Sequence, residues 1–397
     1  MSTSAHSLLA ASETGRPARE MVLTNARIVL PDGEVFGSIC IRGGRISGIA
    51  ETPSRTGNAL DLDGDYLVPG LVDLHTDNLE KHFTPRPGVS WPGVPAVVGH
   101  DAQVAAAGIT TVFDALALGS SSNREARKQI FPDMVESLLA ASASNILRAD
   151  HRLHIRCEVT DPDIVSLFER YAAVPLTNFI SVMDHSPGQR QYADLDAYRA
   201  RVLKHNIMTV NDLDRHIETR VSQSRTFGGE SRAALARLGL ERGLPVASHD
   251  DATVEQIEEA LALGIGIAEF PTTDTAARAA RDRGLIILGG APNMVRGGSH
   301  TGNVSTLDLV GAGLLDILSS DYVPSSLMLA AFKLPRIDER YSLSRAFDMV
   351  ARVPAQVAGF DDRGEIAVDK RADVVQVRLI GGSPVVRTVW KMGRRVA

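Results

Sequence analysis

Between Gly70 and Asp321 the chain repeats one pattern: a short apolar run with a polar side chain at or near its end, then a longer stretch of helix-compatible spacing. The runs read GLVDLHTD, GITTVFDAL, RLHIRCEV, NFISVMDH, LPVASHD, GIAEFPTT, LIILGGAPN and LLDILSSD. Short apolar runs alternating with helical segments predict parallel strands joined by crossover helices. Eight of them favour a (β/α)8 TIM barrel over an open sheet. The two ends have another texture. MVLTNARIVL, the turn PDG and SICIRGGRISGIA are short strands broken by glycine, and GEIAVDKRADVVQVRLIGGSPVVRTVWKMGRRVA repeats that texture at the other terminus.

This organisation predicts α/β architecture with a small β-sandwich domain built from both termini, residues 21–67 plus 360–397, around a barrel spanning 68–359. Residues 1–20 contain the apolar patch SLLAAS with no basic segment before it, and they read as a flexible leader rather than a signal peptide. No internal repeat is visible.

Composition narrows the class. Of 397 residues 44% are hydrophobic, ordinary for a soluble globular enzyme, and no apolar run approaches the ~20 residues of a membrane span. A net charge of -6 argues against general nucleic-acid binding, while leaving room for an anionic small molecule held by a few local cations. The two cysteines, Cys40 and Cys157, cannot build a disulfide framework, which suits a reducing, cytoplasmic setting. The sequence does not read out an oligomeric state and leaves a homo-oligomer open.

The chemistry collects at the strand ends, where barrel enzymes work: Asp77, Asp114, Glu158, His185, His249, Glu269 and Asp321. Side chains on a strand alternate faces, so Asp73, His75 and Asp77 are expected on one side and Leu74 and Thr76 on the other. A histidine and a carboxylate two apart can grip one divalent cation; taken alone, they read equally as a hydrogen-bonded pair. His185 and His249 carry the same alternative, a satisfied imidazole at a strand exit. Asp321 follows a largely apolar run, where an unpaired charge is costly, and a metal or proton-transfer role accounts for it. In HIRCEV, His154, Arg156 and Glu158 share a face while Cys157 turns to the helices. Glu158 could bridge two cations there, or form a salt bridge with Arg156 or another arginine.

PGLVDLHTD, the downstream histidines and the late SSD resemble the amidohydrolase superfamily, whose barrel carries a small β-sandwich from both termini. With Asp77 where relatives usually carry a second histidine, and with HTDNLEKH, TPRPGVSW, MDHSPGQRQY, ASHDD, APNMVRGGSHTGN and SSDYVPSSL, the chain resembles one branch, the PhnM-type diphosphatases of the carbon–phosphorus lyase pathway, from about Met21 onward. That resemblance implies metal-dependent hydrolysis of α-D-ribose 1-methylphosphonate 5-triphosphate to the 5-phosphate and pyrophosphate in phosphonate use. It implies two divalent cations, zinc first, with manganese, iron or nickel as alternatives. By position, His75 and Asp77 resemble the first-strand ligands and His185 and His249 those of the second cation. Glu158 resembles the bridge, because NFISVMDH offers no lysine, and Asp321 the aspartate that orients or deprotonates water. Glu269 stands near the place of a sixth-strand histidine.

Cleaving a phosphoanhydride needs an activated water and neutralised phosphoryl oxygens, both of which a divalent cation supplies. The anionic, phosphorylated substrate also needs partners beyond the metal. Lys81, Arg86, Arg190 and Arg296 lie in suitable loops, and Gly297, Gly298 and His300 of RGGSH could bring backbone N–H groups to phosphate oxygens; each also reads as a solvated charge or plain turn. Two other readings stand beside this one: a cyclic-amide or deaminase-type hydrolase on the same scaffold, and an inactive scaffold subunit, which would be expected to have lost ligands.

Overall fold

The computed structural model describes residues 20–119, 125–204, 209–298 and 303–397. The expected leader, apart from Glu20, lies outside them, and so does His300. The eight apolar runs form eight strands: β1 (Leu71–Thr76), β2 (Ile109–Leu118), β3 (Asp150–Glu158), β4 (Thr177–Met183), β5 (Val246–His249), β6 (Ile267–Glu269), β7 (Ile286–Gly290) and β8 (Ile317–Ser319). Each pairs in parallel with the next, in sequence order. The ring closes at its C-terminal rim, where Thr76 bridges to Asp321. The Asp321 amide donates to the His75 carbonyl at 2.9 Å, and the Asp77 amide donates to the Asp321 carbonyl at 3.0 Å. The closing seam thus sets Asp77 and Asp321 side by side.

Apolar side chains divide by strand face. Val72, Leu74, Phe113, Phe179, Ala247, Ile267, Leu288 and Ile317 pack together inside the barrel. Leu153, Ile155, Cys157, Ile180 and Val182 join the helices outside. Burial of Cys157 pushes its thiol well above the ordinary value, as befits a small core hydrophobe.

The terminal segments form one mostly antiparallel eight-stranded sheet in place of two separate layers. It curls, so that Arg45 bridges to Arg371, and it closes over a core of Leu23, Ile28, Ile39, Ile46, Val374 and Trp390. Its strand Tyr66–Pro69 runs directly into β1, which anchors the first barrel strand to the terminal sheet.

Two expectations about facing are corrected. The β1 register shifts between Asp73 and Thr76, and Asp73 does not line the cavity that His75 and Asp77 reach. Its Oδ1 accepts from the amides of His75 at 3.3 Å and Ser320 at 3.0 Å, and burial lifts its pKa to about 6. Asp114 lies within β2 rather than at its end, and there binds His100 on the helix Gly93–Ala106 at 2.7 Å and His151 on β3 at 2.8 Å. Among the described residues no helix is long and apolar enough to cross a membrane.

Candidate metal centre

Three imidazoles come to the C-terminal rim, each held through Nδ1 by a carboxylate. His75 Nδ1 lies 2.6 Å from Glu269 Oε1, and His249 Nδ1 lies 2.6 Å from Glu269 Oε2. The β5–β6 register pairs His249 with Glu269 directly, leaving the second oxygen free to cross to β1. His185, two residues beyond β4, places Nδ1 3.0 Å from Glu158 Oε2. A carboxylate only accepts, so each Nδ1 carries hydrogen and, in the neutral ring, Nε2 is left with the lone pair. Histidines held this way are the usual form of metal-binding imidazole.

His75, His185 and His249 line one cavity of about 230 Å³ with Asp77, Asp250 and Asp321. His249 Nε2 is 3.4 Å and His185 Nε2 3.9 Å from Asp250 Oδ2. That oxygen and Asp77 Oδ1 are buried without a hydrogen-bond partner among the described residues. Buried carboxylate oxygens without donors, in a cavity lined by imidazoles, are unfavourable until a cation joins them. The donor set therefore fits a divalent metal ion. The turns that aim these groups are strained: Asp250, Phe270 and Asp321, each just past a strand, adopt φ of 59°, 55° and 53°. Left-handed backbone at non-glycine residues costs of the order of 1 kcal/mol each and collects where a site overdetermines it.

Charge follows the same plan. Burial opposes a charge on Glu269, but His75, His154 and His249 hold its pKa well below the usual carboxylate range. Burial likewise opposes a proton on His249, yet Asp250 and Glu269 raise its pKa. For Asp321, burial and then the neighbouring Asp77 raise the pKa to about 6. His154 stands close to His75 and Glu269, but it is no free ligand. Burial depresses its pKa to about 3, its Nδ1 donates to the Leu74 carbonyl at 3.0 Å, and its Nε2 accepts from Ser181 Oγ at 2.9 Å.

Of the ligands expected from sequence, His75, Asp77, His185, His249 and Asp321 line the cavity and Glu158 does not. Glu158 stands behind His185, with its other contacts to Thr160 Oγ1 at 2.9 Å and Arg220 Nη2 at 3.2 Å. A carboxylate engaged on both oxygens is placed to orient an imidazole, not to span two cations.

The expected phosphate contacts fare differently. Lys81 Nζ donates to the carbonyl of Tyr322, a cavity residue, at 2.7 Å. Arg296 Nη1 reaches Tyr322 Oη at 3.5 Å. Arg86 is exposed and away from the cavity lining. Arg190 is buried and turned to protein partners, pairing with Asp251 and donating to the His249 carbonyl at 3.2 Å. Gly297 and Gly298 both direct their N–H groups to the Asn293 carbonyl at 3.1 Å, closing the helix Ala291–Arg296, so neither is offered to a ligand.

The cavity also contains residues not singled out as site residues from the sequence: Asp250, Arg156, Tyr192 and Arg201. The doubled aspartate of ASHDD was a usable signal, since Asp251 takes Arg190 and leaves Asp250 for the cavity. For Tyr192, on the short helical turn Arg190–Tyr192, and Arg201, on the helix Leu195–Lys204, no local pattern marks the approach to the cavity.

The amidohydrolase family profile matches residues 226–397. The α-D-ribose 1-methylphosphonate 5-triphosphate diphosphatase of Escherichia coli (strain K12) is 41% identical over 377 residues, covering 95% of this chain and 100% of that protein. An adenine deaminase of Nitratidesulfovibrio vulgaris (strain DP4) is 26% identical over 96% of this chain, which spans 58% of the deaminase. Among solved structures, 5-methylcytosine deaminase from Klebsiella pneumoniae aligns with a TM-score of 0.62 at 14% identity, covering 95% of this chain and 98% of that one. A likeness at that identity speaks to the fold.

Proposed function

The chain belongs to the amidohydrolase family, and from that premise we propose that it hydrolyses α-D-ribose 1-methylphosphonate 5-triphosphate to the 5-phosphate and pyrophosphate. The observation that carries this reading is identity of 41% across the full length of a diphosphatase, joined to a polar cavity whose imidazoles and orphan carboxylates fit divalent metal ions. His75, Asp77, His185, His249, Asp250 and Asp321 are the residues that would hold them. Three imidazoles and three carboxylates exceed the four ligands of one tetrahedral ion, which supports two cations, and their mixed nitrogen and oxygen donors suit zinc, manganese, iron or nickel, of which we take zinc first. Two cysteines, neither in a disulfide, agree with a reducing cytoplasm.

When bound, a divalent cation makes a water acidic and neutralises phosphoryl oxygens. The protein's own part is geometric and protonic. Glu269 and Glu158 fix the three rings, so no reorganisation is required when substrate arrives. The water oxygen forms the new P–O bond, the anhydride P–O bond breaks, and its electron pair leaves with pyrophosphate. Asp321 takes the proton of the water and returns it to solvent, from its place beside Asp77 at the closing seam of the barrel. Glu158 serves this scheme behind His185 in place of the bridging role.

The test is release of pyrophosphate from the ribose phosphonate triphosphate, set against turnover of adenine, dihydroorotate and hydantoin by the same metal-loaded protein. Pyrophosphate release should dominate by orders of magnitude; preferential turnover of a base or cyclic amide would overturn the assignment.

A further inference from the structure

Among the described residues six arginines are buried: Arg156, Arg190, Arg220, Arg232, Arg363 and Arg371. Five have a carboxylate within 4.0 Å: Arg190 has Asp251, Arg220 has Glu158, Arg232 has Glu259, Arg363 has Asp150 and Arg371 has Asp373. Arg156 has no such partner among the described residues. It is 8% exposed, lines the cavity, and has a buried Nε with no hydrogen bond. Its one hydrogen bond there runs from Nη2 to His249 Nε2 at 3.4 Å. A guanidinium only donates, so this contact competes with a metal ion for the single lone pair of His249.

Burying a cation with no carboxylate in ion-pair range is unfavourable, and although Asp77, Asp250 and Asp321 share its cavity, none lies within 4.0 Å, so an anion entering the cavity would find the guanidinium free to pair. We propose that Arg156 is the catalytic anion receptor of the cavity, taking non-bridging oxygens of the triphosphate beside His249. Three features support this. The planar fork of N–H donors matches two phosphate oxygens at once. The strand position is rigid, since β3 pairs through Arg156 to Ala117 on one side and Ser181 on the other. Arg156 is itself buried, so its fixed positive charge acts with little solvent screening on the negative charge that shifts toward the leaving oxygens as the anhydride bond breaks. Arg201, exposed and lining the same cavity, stands at its mouth as a second cation for the far end of the polyphosphate.

The inference rests on the hydrolytic function proposed above, and the experiment separates the two. Metal-loaded wild type, R156K and R156Q are compared for kcat and KM on the triphosphate, affinity for inorganic pyrophosphate by calorimetry, metal content and melting temperature. R156Q should lose ~100-fold or more in kcat/KM, mostly in kcat. Its pyrophosphate Kd should rise roughly tenfold or more, with metal content unchanged and R156K recovering part of both losses. Unchanged pyrophosphate affinity in a folded R156Q would overturn the proposal, as would a rate loss that tracks lost metal, which would place Arg156 behind His249 instead of on substrate. If R156Q fails to fold, R156K decides: wild-type pyrophosphate affinity together with a rate loss that follows its metal content refutes the assignment. A wild type that releases no pyrophosphate would instead overturn the functional reading itself.

Discussion

Replacing Glu269 by glutamine tests how the metal centre is built. The native carboxylate accepts from two imidazole Nδ1 atoms, each at 2.6 Å, and is itself fully buried. A carboxamide has one oxygen and one NH2 group in the same place. Its oxygen can keep one ring as before, but its NH2 then faces the other Nδ1, which must give up its hydrogen and become an acceptor. That ring changes tautomer, Nε2 gains the hydrogen, and one lone pair is lost from the cavity. Loss of a partner of this kind typically lowers metal affinity about 10- to 100-fold, or roughly 1.4 to 2.7 kcal/mol. Removing the negative charge beside two ligand rings pushes toward the upper end. The assay is titration of metal-free E269Q with zinc against a chromophoric chelator, alongside metal content and a melting curve. A folded E269Q that binds zinc as tightly as wild type would refute the view that Glu269 sets the tautomers of His75 and His249.

Metal affinity should also depend on pH through Asp321. Its pKa is raised to about 6 in the metal-free protein, so a cation must displace a proton below that pH; zinc affinity should fall as pH drops through about 6, and D321N should flatten this slope in chelator competition. Glu158→Gln should loosen His185 and remove the ion pair with Arg220 at 3.2 Å, lowering stability by ~1–3 kcal/mol in urea unfolding and lowering metal content; unchanged values of both would dismiss its tethering role. His151 gives an alkaline signature remote from the cavity. Burial opposes its proton, but Asp114 at 2.8 Å and Asp101 at 3.3 Å outweigh that and raise its pKa to about 9. Because the folded value lies above the unfolded value of 6.5, the stabilisation is complete below 6.5 and is lost as pH rises through about 9. It amounts to roughly 3 kcal/mol at most, and His151→Gln should erase the difference between unfolding curves taken near neutrality and at alkaline pH.

The local pattern of the chain determined a good deal of this protein. Strand periodicity and turn chemistry are properties of adjacent residues, so eight apolar runs announced eight parallel strands and glycine-broken ends announced the terminal sheet. The same locality put His75, Asp77, His185, His249 and Asp321 at strand exits, and they do line one cavity. Even Cys157 facing the helices followed from counting by twos. Where the count broke, at the register shift of β1, Asp73 stayed out of the cavity. The tertiary structure alone decided which charges are satisfied. Glu158 meets an arginine 62 residues away, Arg190 an aspartate 61 away, and His75 a carboxylate 194 away. Such partners are fixed by which strands become neighbours and by how helices cover them, and no window of sequence contains that information. Ion pairing is short-ranged, a matter of a few ångströms in three dimensions. A carboxylate or guanidinium therefore reads the same in the sequence whether it is spent on a distant partner, as in Glu158 and Arg190, or left facing the cavity, as in Asp250 and Arg156.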